Sequence, residues 1–225
     1  MDYLLTEEDR EICSTIRKVI EKEVLPLEKN LDLDKPVPRE LREKIRKLGV
    51  ELGYYGMYMP KEVSGAGINN VTTCAIWETI GETGSWLGRH IIGGAAGGPT
   101  PILLACNPAQ REKYLLPLVR GEKTQCFALT EPEAGSDATA IRTTATKDGK
   151  FWVLNGRKHF VSNGADADFA IVFAVTDKEK RARGGITCFL VDKGTPGFIR
   201  GRFHKILGVD SQVNCELLFE DCRVP

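Results

Sequence analysis

The amino-acid sequence predicts an α+β multidomain protein. An N-terminal all-α helical domain would occupy residues 1–122, and a mainly antiparallel β-sandwich or β-barrel domain would occupy residues 123–225. Apolar residues recur at helical spacing before about residue 121 and at a period of two after it. The 225 residues are enough for two domains of roughly 100 residues each. Helices followed by strands, without alternation, are typical of two separate domains.

The helical half shows start signals at regular intervals. Thr6 and Asp9 have the spacing of a capping box, and the following Ile12, Ile16 and Ile20 share one face of a helix. Pro38 is placed as a first-turn proline. The predicted segments are a first helix from Thr6 that Pro26 kinks or ends, a second from Pro38 to about Leu52, a third over 71–80, a fourth over about 86–105 and a fifth from Pro108 to about Val119.

The second half alternates or carries short apolar runs. Asp148-Gly149 stands between two such runs, residues 142–146 and 151–154, which is a strong hairpin signal. Residues 169–175 and 186–191 are apolar enough for buried strands. Residues 213–219 alternate apolar and polar side chains. We expect six to eight strands in all.

Charge and hydropathy exclude several classes of protein. Lys plus Arg number 31 and Asp plus Glu number 31, so the net charge is zero. The absence of a basic stripe argues against nucleic acid as a partner. No stretch approaches the ~20 apolar residues that cross a bilayer, and the first residues are too polar for a signal peptide. We expect a cytoplasmic protein, or a mitochondrial-matrix protein if a transit peptide has been removed.

The cysteines and histidines give no metal-binding pattern. Seven cysteines include no CxxC pair, and the three histidines are not spaced as zinc ligands. The sequence therefore predicts no metal site. Most of the cysteines have apolar neighbours and are predicted to be small buried thiols in a reducing compartment.

Two glycine-rich stretches have simple structural interpretations. Residues 93–100 resemble a phosphate-binding loop, but Pro99 stands where that motif needs lysine, and no strand precedes it. A close helix contact through small residues is the preferred interpretation. Residues 60–67 form a loop in which glycine supplies a positive φ.

Residues 127–137 form a third glycine-containing stretch, and its polar groups could bind a ligand. A strand runs into a turn that holds two hydroxyls, three carboxylates and Gly135. Backbone N–H groups and hydroxyls in such a turn suit the acceptors of a ring cofactor or a phosphate. The alternative is a solvated acidic turn in which Ser136 or Asp137 serves as a local cap. These residues alone leave both interpretations open.

Several segments together resemble one family. Leu129–Asp137 resembles the signature segment of the acyl-CoA dehydrogenases. Asn155–Gly164 resembles the family's strand-turn-strand segment that faces the flavin. Residues 60–67, 110–117 and 219–225 match further family segments in the same order. The similarity covers essentially the whole chain, and it corresponds to the family's N-terminal helical domain and middle β-domain.

The resemblance implies FAD as cofactor and a set of residues around it. Phe127, Leu129 and Thr130 would line the flavin, partly through backbone atoms. Phe160 would lie against the ring system, with Val161 beside it, and Ser162 would bond near the reactive nitrogen. Gly135 and Ser136 would approach the cofactor pyrophosphate, and Ser136 would also approach the acyl-CoA substrate. Two positions depart from the family: Phe160 replaces a frequent tryptophan, and Ala66 replaces a frequent glycine.

The resemblance also implies an activity, the α,β-dehydrogenation of acyl-CoA thioesters. Electrons would pass to an electron-transfer flavoprotein, and the complete enzyme would be a homo-oligomer. The family's catalytic glutamate comes from a later helical domain, so no catalytic residue is assigned here. We expect this chain alone to be an inactive portion, with Glu131, Glu133 and Asp137 serving turn geometry and solvation.

Two alternatives to that activity stay open. An acyl-CoA oxidase or a related flavin monooxygenase would use the same framework with oxygen as the electron acceptor. A non-catalytic fragment would bind flavin or acyl-CoA weakly or not at all.

Overall fold

The computed structural model describes residues 4–32, 35–94, 97–206 and 213–225. The chain divides into two compact units, Met1–Lys123 and Thr124–Pro225. The first is helical and the second is built on a curled mixed sheet, so the predicted order of fold classes is confirmed.

The helical unit contains seven α-helical segments among the described residues. They are α1 Glu7–Val19, α2 Leu25–Glu28, α3 Arg39–Glu51, α4 Asn70–Glu82, α5 Arg89–Ile92, α6 Pro108–Gln110 and α7 Leu116–Val119. Short 3₁₀ turns lie at Lys61–Val63 and Pro101–Ala105.

The predicted capping box opens α1. The Thr6 hydroxyl accepts a hydrogen bond from the Asp9 backbone N–H, and the Asp9 carboxylate accepts one from the Thr6 backbone N–H at 2.9 Å. The Thr72 hydroxyl of α4 also donates to Asp9, at 2.6 Å. That bond, followed by those from Thr6, holds the pKa of Asp9 below its usual value. The cap therefore also joins α1 to α4.

Two prolines inside helical runs follow π-helical turns. The π turn Ile20–Val24 precedes Pro26 in α2, and the π turn Arg111–Leu115 precedes Pro117 in α7. A proline lacks an N–H and its ring crowds the carbonyl four residues earlier. The wider turn removes this conflict, so the helix continues past Pro26 to Glu28. Of the two predicted alternatives, a kink or an end at Pro26, the end is wrong.

The predicted helix over residues 86–105 is also wrong. Only Arg89–Ile92 is α-helical, and Pro101–Ala105 is a 3₁₀ turn. Gly93 and Gly94 have φ values of 84° and 78°, which end a right-handed helix. Gly49 of α3 makes a close helix contact, because a side chain there would overlap the Ile91 backbone of α5. A side chain at Gly94 would meet the Trp77 ring of α4 at 3.0 Å.

The second unit contains seven strands in the described residues, within the predicted range. They are β1 Gln125–Ala128, β2 Thr144–Asp148, β3 Phe151–Val161, β4 Phe169–Val175, β5 Ile186–Asp192, β6 Phe198–Phe203 and β7 Cys215–Val224. The hairpin between β2 and β3 turns at Gly149, whose φ is 60°. Its position confirms the Asp148-Gly149 signal.

The sheet has the order β1-β4-β2-β3-β7-β6, with β5 paired to the other edge of β4. β4 pairs in parallel with β1 over residues 169–172 and with β2 at Val175. The pairs β2–β3, β3–β7, β6–β7 and β4–β5 are antiparallel. Mainly antiparallel pairing is therefore confirmed, with β4 as the strand that makes the sheet mixed.

Alternate residues of β4, β5 and β7 build the core of the second unit, together with Val161 and Leu154 of β3. Three cysteines, Cys126, Cys215 and Cys222, are buried. Cys74 and Cys188 are exposed, so the prediction that most thiols are buried is wrong. Their positions fall on the outer faces of α4 and β5. Within the described residues, no helix combines the length and the apolar character needed to cross a membrane.

Candidate functional site

Backbone and side-chain hydrogen bonds join the two motifs that carried the family resemblance. The His159 backbone N–H donates to the Thr130 carbonyl at 2.8 Å. The Lys158 Nζ donates to the Leu129 carbonyl at 3.0 Å. The structure thus brings the turn after β1 and the end of β3 together, although some thirty residues separate them in sequence.

An ion pair between Glu131 and Lys158 lies beneath this junction. The Lys158 side chain is fully buried, and its Nζ lies 2.8 Å from the Glu131 carboxylate. The same carboxylate accepts hydrogen bonds from the backbone N–H groups of Arg142 and Thr143, at 2.6 and 2.9 Å. These donors fix the turn that carries the signature segment.

The ionisation of the pair follows from its partners. Burial opposes the charge on Glu131, but the hydrogen bonds from Lys158, Thr143 and Arg142 together hold its pKa below the usual value. Burial lowers the pKa of Lys158, and the Glu131 carboxylate works against that shift. We infer that both groups are charged at neutral pH, because each supplies the countercharge that the other needs.

Phe160 presents an exposed aromatic ring at the end of β3. Its φ of 52° is a left-handed conformation that bulky residues rarely adopt. Phe160 is 59% exposed. It lies two residues after the buried Lys158, at an irregularity in the β3–β7 pairing. Residues with strained backbone conformations of this kind are concentrated at binding sites.

Two imidazoles lie against Phe160. The ring centroids of His159 and His204 are 4.1 and 4.6 Å from that of Phe160. The two imidazoles stack on each other with centroids 4.4 Å apart. Burial lowers the pKa of His204, and the neighbouring His159 acts in the same direction. The three rings form one aromatic cluster.

The turn after β3 is held by polar side chains. The buried Asn163 Nδ2 donates to the Gln125 carbonyl at 2.9 Å, and Asn163 has a left-handed φ of 61°. Asp168 accepts from the Thr124 backbone N–H at 2.7 Å. Ser162 Oγ accepts from Asn214 Nδ2 at 3.3 Å. These bonds place Ser162 between the start of β1 and the start of β7.

The other predicted site residues differ in how accessible they are. Phe127 is 44% exposed and its ring lies 5.0 Å from that of Phe173. Gly135 and Ser136 are exposed. Leu129 packs against a small apolar cluster of Ala134, Ile141 and Val175. The Val161 side chain is buried in the core, so only its backbone could meet a cofactor.

The three carboxylates of the signature segment have different environments. Glu131 is buried in its ion pair, so the expectation that it is solvated is wrong, whereas its role in turn geometry is confirmed. Glu133 is exposed. Asp137 caps a short 3₁₀ turn and accepts from the Thr139 hydroxyl and backbone N–H, which hold its pKa below the usual value.

Sequence reasoning missed Lys158, His159, His204 and Glu216. A signal for Lys158 existed, because it stands four residues after the buried Leu154, and alternate residues of a strand share a face. A lysine at an inward position implies a buried partner. The other three meet only through pairing of β3, β6 and β7, which local pattern does not reveal.

The surroundings of Phe160 fit a flat, polar-edged cofactor such as a flavin. The exposed ring offers a stacking face. Gly135 has no atom within 4 Å of where a side chain would begin, so a ligand can approach its backbone closely.

A groove of about 670 Å³ lies elsewhere, in the helical unit, and its lining includes Glu23, Glu43, Lys44 and Glu51. Binding sites for small molecules are mostly apolar with a few convergent polar groups. Charged side chains make up most of the lining of this groove, and it contains none of the motif residues. The chemistry of the motifs, and not the size of the groove, locates the candidate site.

Comparison with known proteins agrees with the motifs. Residues 6–122 match the family model described as acyl-CoA dehydrogenase, N-terminal domain, and residues 126–222 match that described as acyl-CoA dehydrogenase, middle domain. The chain is 37% identical over 219 residues to the 3-(aryl)acrylate reductase of Clostridium sporogenes, covering 97% of this chain and 57% of that protein. It is 36% identical to the mouse mitochondrial short-chain specific acyl-CoA dehydrogenase, covering 98% and 52%.

Solved structures give the same result. A chain from a structure of the electron transferring flavoprotein of Acidaminococcus fermentans superposes with a TM-score of 0.85 at 34% identity, covering 100% of this chain and 58% of that one. Butyryl-CoA dehydrogenase from Megasphaera elsdenii gives 0.81 at 33%, covering 98% and 57%. A glutaryl-CoA dehydrogenase from Mycobacterium smegmatis, solved with FADH2, gives 0.83 at 30%, covering 100% and 55%. The chain spans little more than half the length of these relatives.

Proposed function

We propose, for a chain that belongs to the acyl-CoA dehydrogenase family, that it forms the flavin-binding wall of an enzyme that dehydrogenates acyl-CoA thioesters between the α and β carbons. FAD is the cofactor that this membership indicates. The observation that carries the proposal is the exposed, left-handed Phe160, held in place by the bonds between the two motifs.

Each part of the wall has a role in holding the cofactor. Phe160 offers a stacking face, and Phe127 extends the apolar surface of the second unit. The hydroxyls of Thr130 and Ser162 are donors for the polar edge of the ring. The backbone at Gly135 and the hydroxyl of Ser136 are open to a phosphate or to the substrate's CoA moiety. Bound FAD would supply the acceptor for the two electrons removed from the substrate.

The chain's own carboxylates are poorly placed to remove the substrate's α proton. Glu131 is committed to Lys158 and to two backbone donors, and Asp137 caps a turn. Only Glu133, in the same turn, is exposed. Positioned general-base catalysis contributes about 10²–10⁴-fold. We therefore infer that the 225-residue chain binds cofactor but does not turn over acyl-CoA.

Reduction of an α,β-unsaturated substrate is a second candidate. A 3-(aryl)acrylate reductase and an NADH-dependent acryloyl-CoA reductase from Anaerotignum propionicum are as similar to this chain as the dehydrogenases are, at 37% and 36% identity. Both directions use the same α and β carbons and the same flavin. The reduction potential of the substrate couple, measured against that of the bound flavin, would decide between them.

Partners and location complete the proposal. We infer an acyl-CoA substrate, an electron-transfer flavoprotein as acceptor and a homo-oligomeric complete enzyme. The similar A. fermentans structure is described as an electron transferring flavoprotein, and this supports such a flavoprotein as the electron acceptor. A reducing compartment, the cytoplasm or the mitochondrial matrix, is supported by the odd number of cysteines and the lack of a CxxC pair. An oxidase, which would pass electrons to oxygen, would show rapid aerobic reoxidation of its reduced flavin.

FAD titration of the 225-residue chain tests the flavin wall. Binding would be followed by flavin fluorescence anisotropy. This chain supplies one wall of a buried site and therefore makes only part of the contacts to FAD. We expect weak binding of FAD, and gel filtration should separate the FAD from the chain. Phe160→Ala should weaken it about 10-fold, through lost stacking and buried area.

Phe203→Ala is the matched control, because Phe203 is 58% exposed and lies on β6 of the same unit. It should bind FAD as the unaltered chain does. Equal affinities of Phe160→Ala and the unaltered chain would refute the assignment of this face. Retention of stoichiometric FAD through gel filtration would refute the expectation of weak binding.

A further inference from the structure

We propose that His159, His204 and Glu216 form a binding site for a divalent transition-metal ion, with Zn²⁺ the best fit. Among residues 4–32, 35–94, 97–206 and 213–225, they are the one group of three metal-ligating side chains whose ligand atoms all lie within 4.8 Å of one another.

The sheet brings these residues together around Glu216. Lys158 and Val161 of β3 pair with Leu217 and Cys215 of β7, so two residues of β3 lie opposite Glu216 alone. The same irregularity occurs on the other side, where Arg200 and Phe203 of β6 pair with the same two residues of β7. Glu216 is thus flanked by a bulge on both neighbouring strands. Bulges re-aim side chains next to binding sites.

Two nitrogen atoms of the group lack the partners that buried atoms need. Within the part of the chain that the structure describes, His159 Nδ1 and His204 Nε2 are buried and make no hydrogen bond. The Glu216 side chain is 14% exposed, and its nearest ion-pair distances are 3.7 Å to His159 and 4.0 Å to Arg157. These distances are too long for hydrogen bonds. An unsatisfied buried polar atom is unfavourable, and each one in a native structure requires a reason.

The spacing of the three ligand atoms suits a small ion. Zn²⁺ binds nitrogen and carboxylate oxygen at about 2.0–2.2 Å, so two ligands of a tetrahedral site lie about 3.4 Å apart. The 3.7 Å between His159 Nδ1 and Glu216 is close to that value. The two imidazoles are stacked with an interplanar angle of 14°, so their rings must rotate apart to share an ion.

The ligand set defines the chemistry of the ion. Two imidazoles and one carboxylate are the ligands of catalytic zinc sites and of non-haem iron sites. Three protein ligands leave a further position for water or another ligand. Two positive charges oppose binding: Arg157 lies beside Glu216, and Arg202 acts electrostatically on His204. We therefore expect that removing the nearer charge, that of Arg157, tightens binding.

The experiment titrates the FAD-free 225-residue chain with ZnCl₂ by isothermal calorimetry, and with Co²⁺ by visible absorption. Because thiols also bind Zn²⁺, the exposed Cys74 and Cys188 would first be replaced by serine. We expect one Zn²⁺ per chain, and Co²⁺ bands of a low-coordinate site. His204→Ala and Glu216→Gln should each weaken binding at least about 10-fold, since loss of an outer-shell partner alone has that effect.

Glu220→Gln is the matched control, an exposed glutamate on the same strand, and it should leave the affinity unchanged. Arg157→Gln removes an opposing charge and should tighten binding, a result that partial unfolding cannot produce. The proposal is overturned if the cysteine-substituted chain binds no Zn²⁺, or if affinity is indifferent to His204→Ala and Glu216→Gln. Should those two variants fail to fold, unchanged or weaker binding by Arg157→Gln overturns it.

Discussion

Replacing Lys158 by methionine would test how strongly the buried ion pair stabilises the second unit, Thr124–Pro225 (the β-unit). Methionine keeps most of the apolar stem but removes the ammonium, which leaves the Glu131 carboxylate buried. That carboxylate retains two of its three described donors, the backbone N–H groups of Arg142 and Thr143. Breaking a buried ion pair by removing one partner costs about 3–5 kcal/mol. We expect the lower end, about 3 kcal/mol, because the two backbone donors remain.

Amide hydrogen exchange measured by mass spectrometry on the buried strand Phe169–Val175 would report this loss. A change of about 3 kcal/mol accelerates exchange through global opening about 100-fold. Glu131→Gln should be at least as damaging, because it leaves a fully buried ammonium without its countercharge. The double variant should be more stable than the sum of the two single effects implies, by about 1 kcal/mol or more.

Lys193→Met is the control, because Lys193 is an exposed lysine just after β5, and its effect should stay within about 0.5 kcal/mol. The reasoning fails if Lys158→Met exchanges no faster than Lys193→Met. It also fails if the double variant shows purely additive losses, because the two groups would then act independently.

Three further outcomes follow from the same structure. Gly156→Ala should destabilise the β-unit more than Gly149→Ala, as measured by urea unfolding. Both glycines have positive φ, but a Cβ atom at Gly156 would lie 2.5 Å from the Thr143 hydroxyl oxygen, whereas a Cβ atom at Gly149 would meet no atom within 4 Å. The low pKa of Glu131 means that its stabilisation is complete above the usual value of 4.5 and is lost as pH falls through the folded-state pKa. Protection against exchange, corrected for the intrinsic exchange rate at each pH, should therefore fall below pH 4.5, and less steeply in Glu131→Gln. Thr6→Ala should lower the thermal stability of the helical unit by about 0.5–2 kcal/mol through loss of the cap.

Features set by neighbouring residues were predictable from the sequence. The capping box at Thr6 and the hairpin at Asp148-Gly149 depend on three or four adjacent residues, and both were found in place. The strand Phe169–Val175 was predicted with its exact bounds because a continuous apolar run has no competing amphipathic interpretation. By contrast, β6 has two arginines and a glycine between Ile199 and Phe203, and this polar stretch obscured the strand pattern.

Features set by distant residues were not predictable in the same way. The helix expected over residues 86–105 failed because glycine φ values, which composition does not fix, turn the chain at Gly93 and Gly94. The motifs identified the segments of the candidate site but not its supports. Lys158, His204 and Glu216 acquire their surroundings only when β3, β6 and β7 pair.

The parallel pairing of β1 has a consequence for the order in which the β-unit folds. β1 is made first, but its partner β4 begins about forty residues later, whereas β2–β3 and β4–β5 are formed by segments close in sequence. Pairings between distant segments require closure of a long loop and form slowly. On a ribosome, β1 must wait unpaired until β4 emerges, and the signature turn that follows β1 waits with it. The segment that carries the family signature therefore acquires its structure only after β4 has been made, although it precedes most of the unit in sequence.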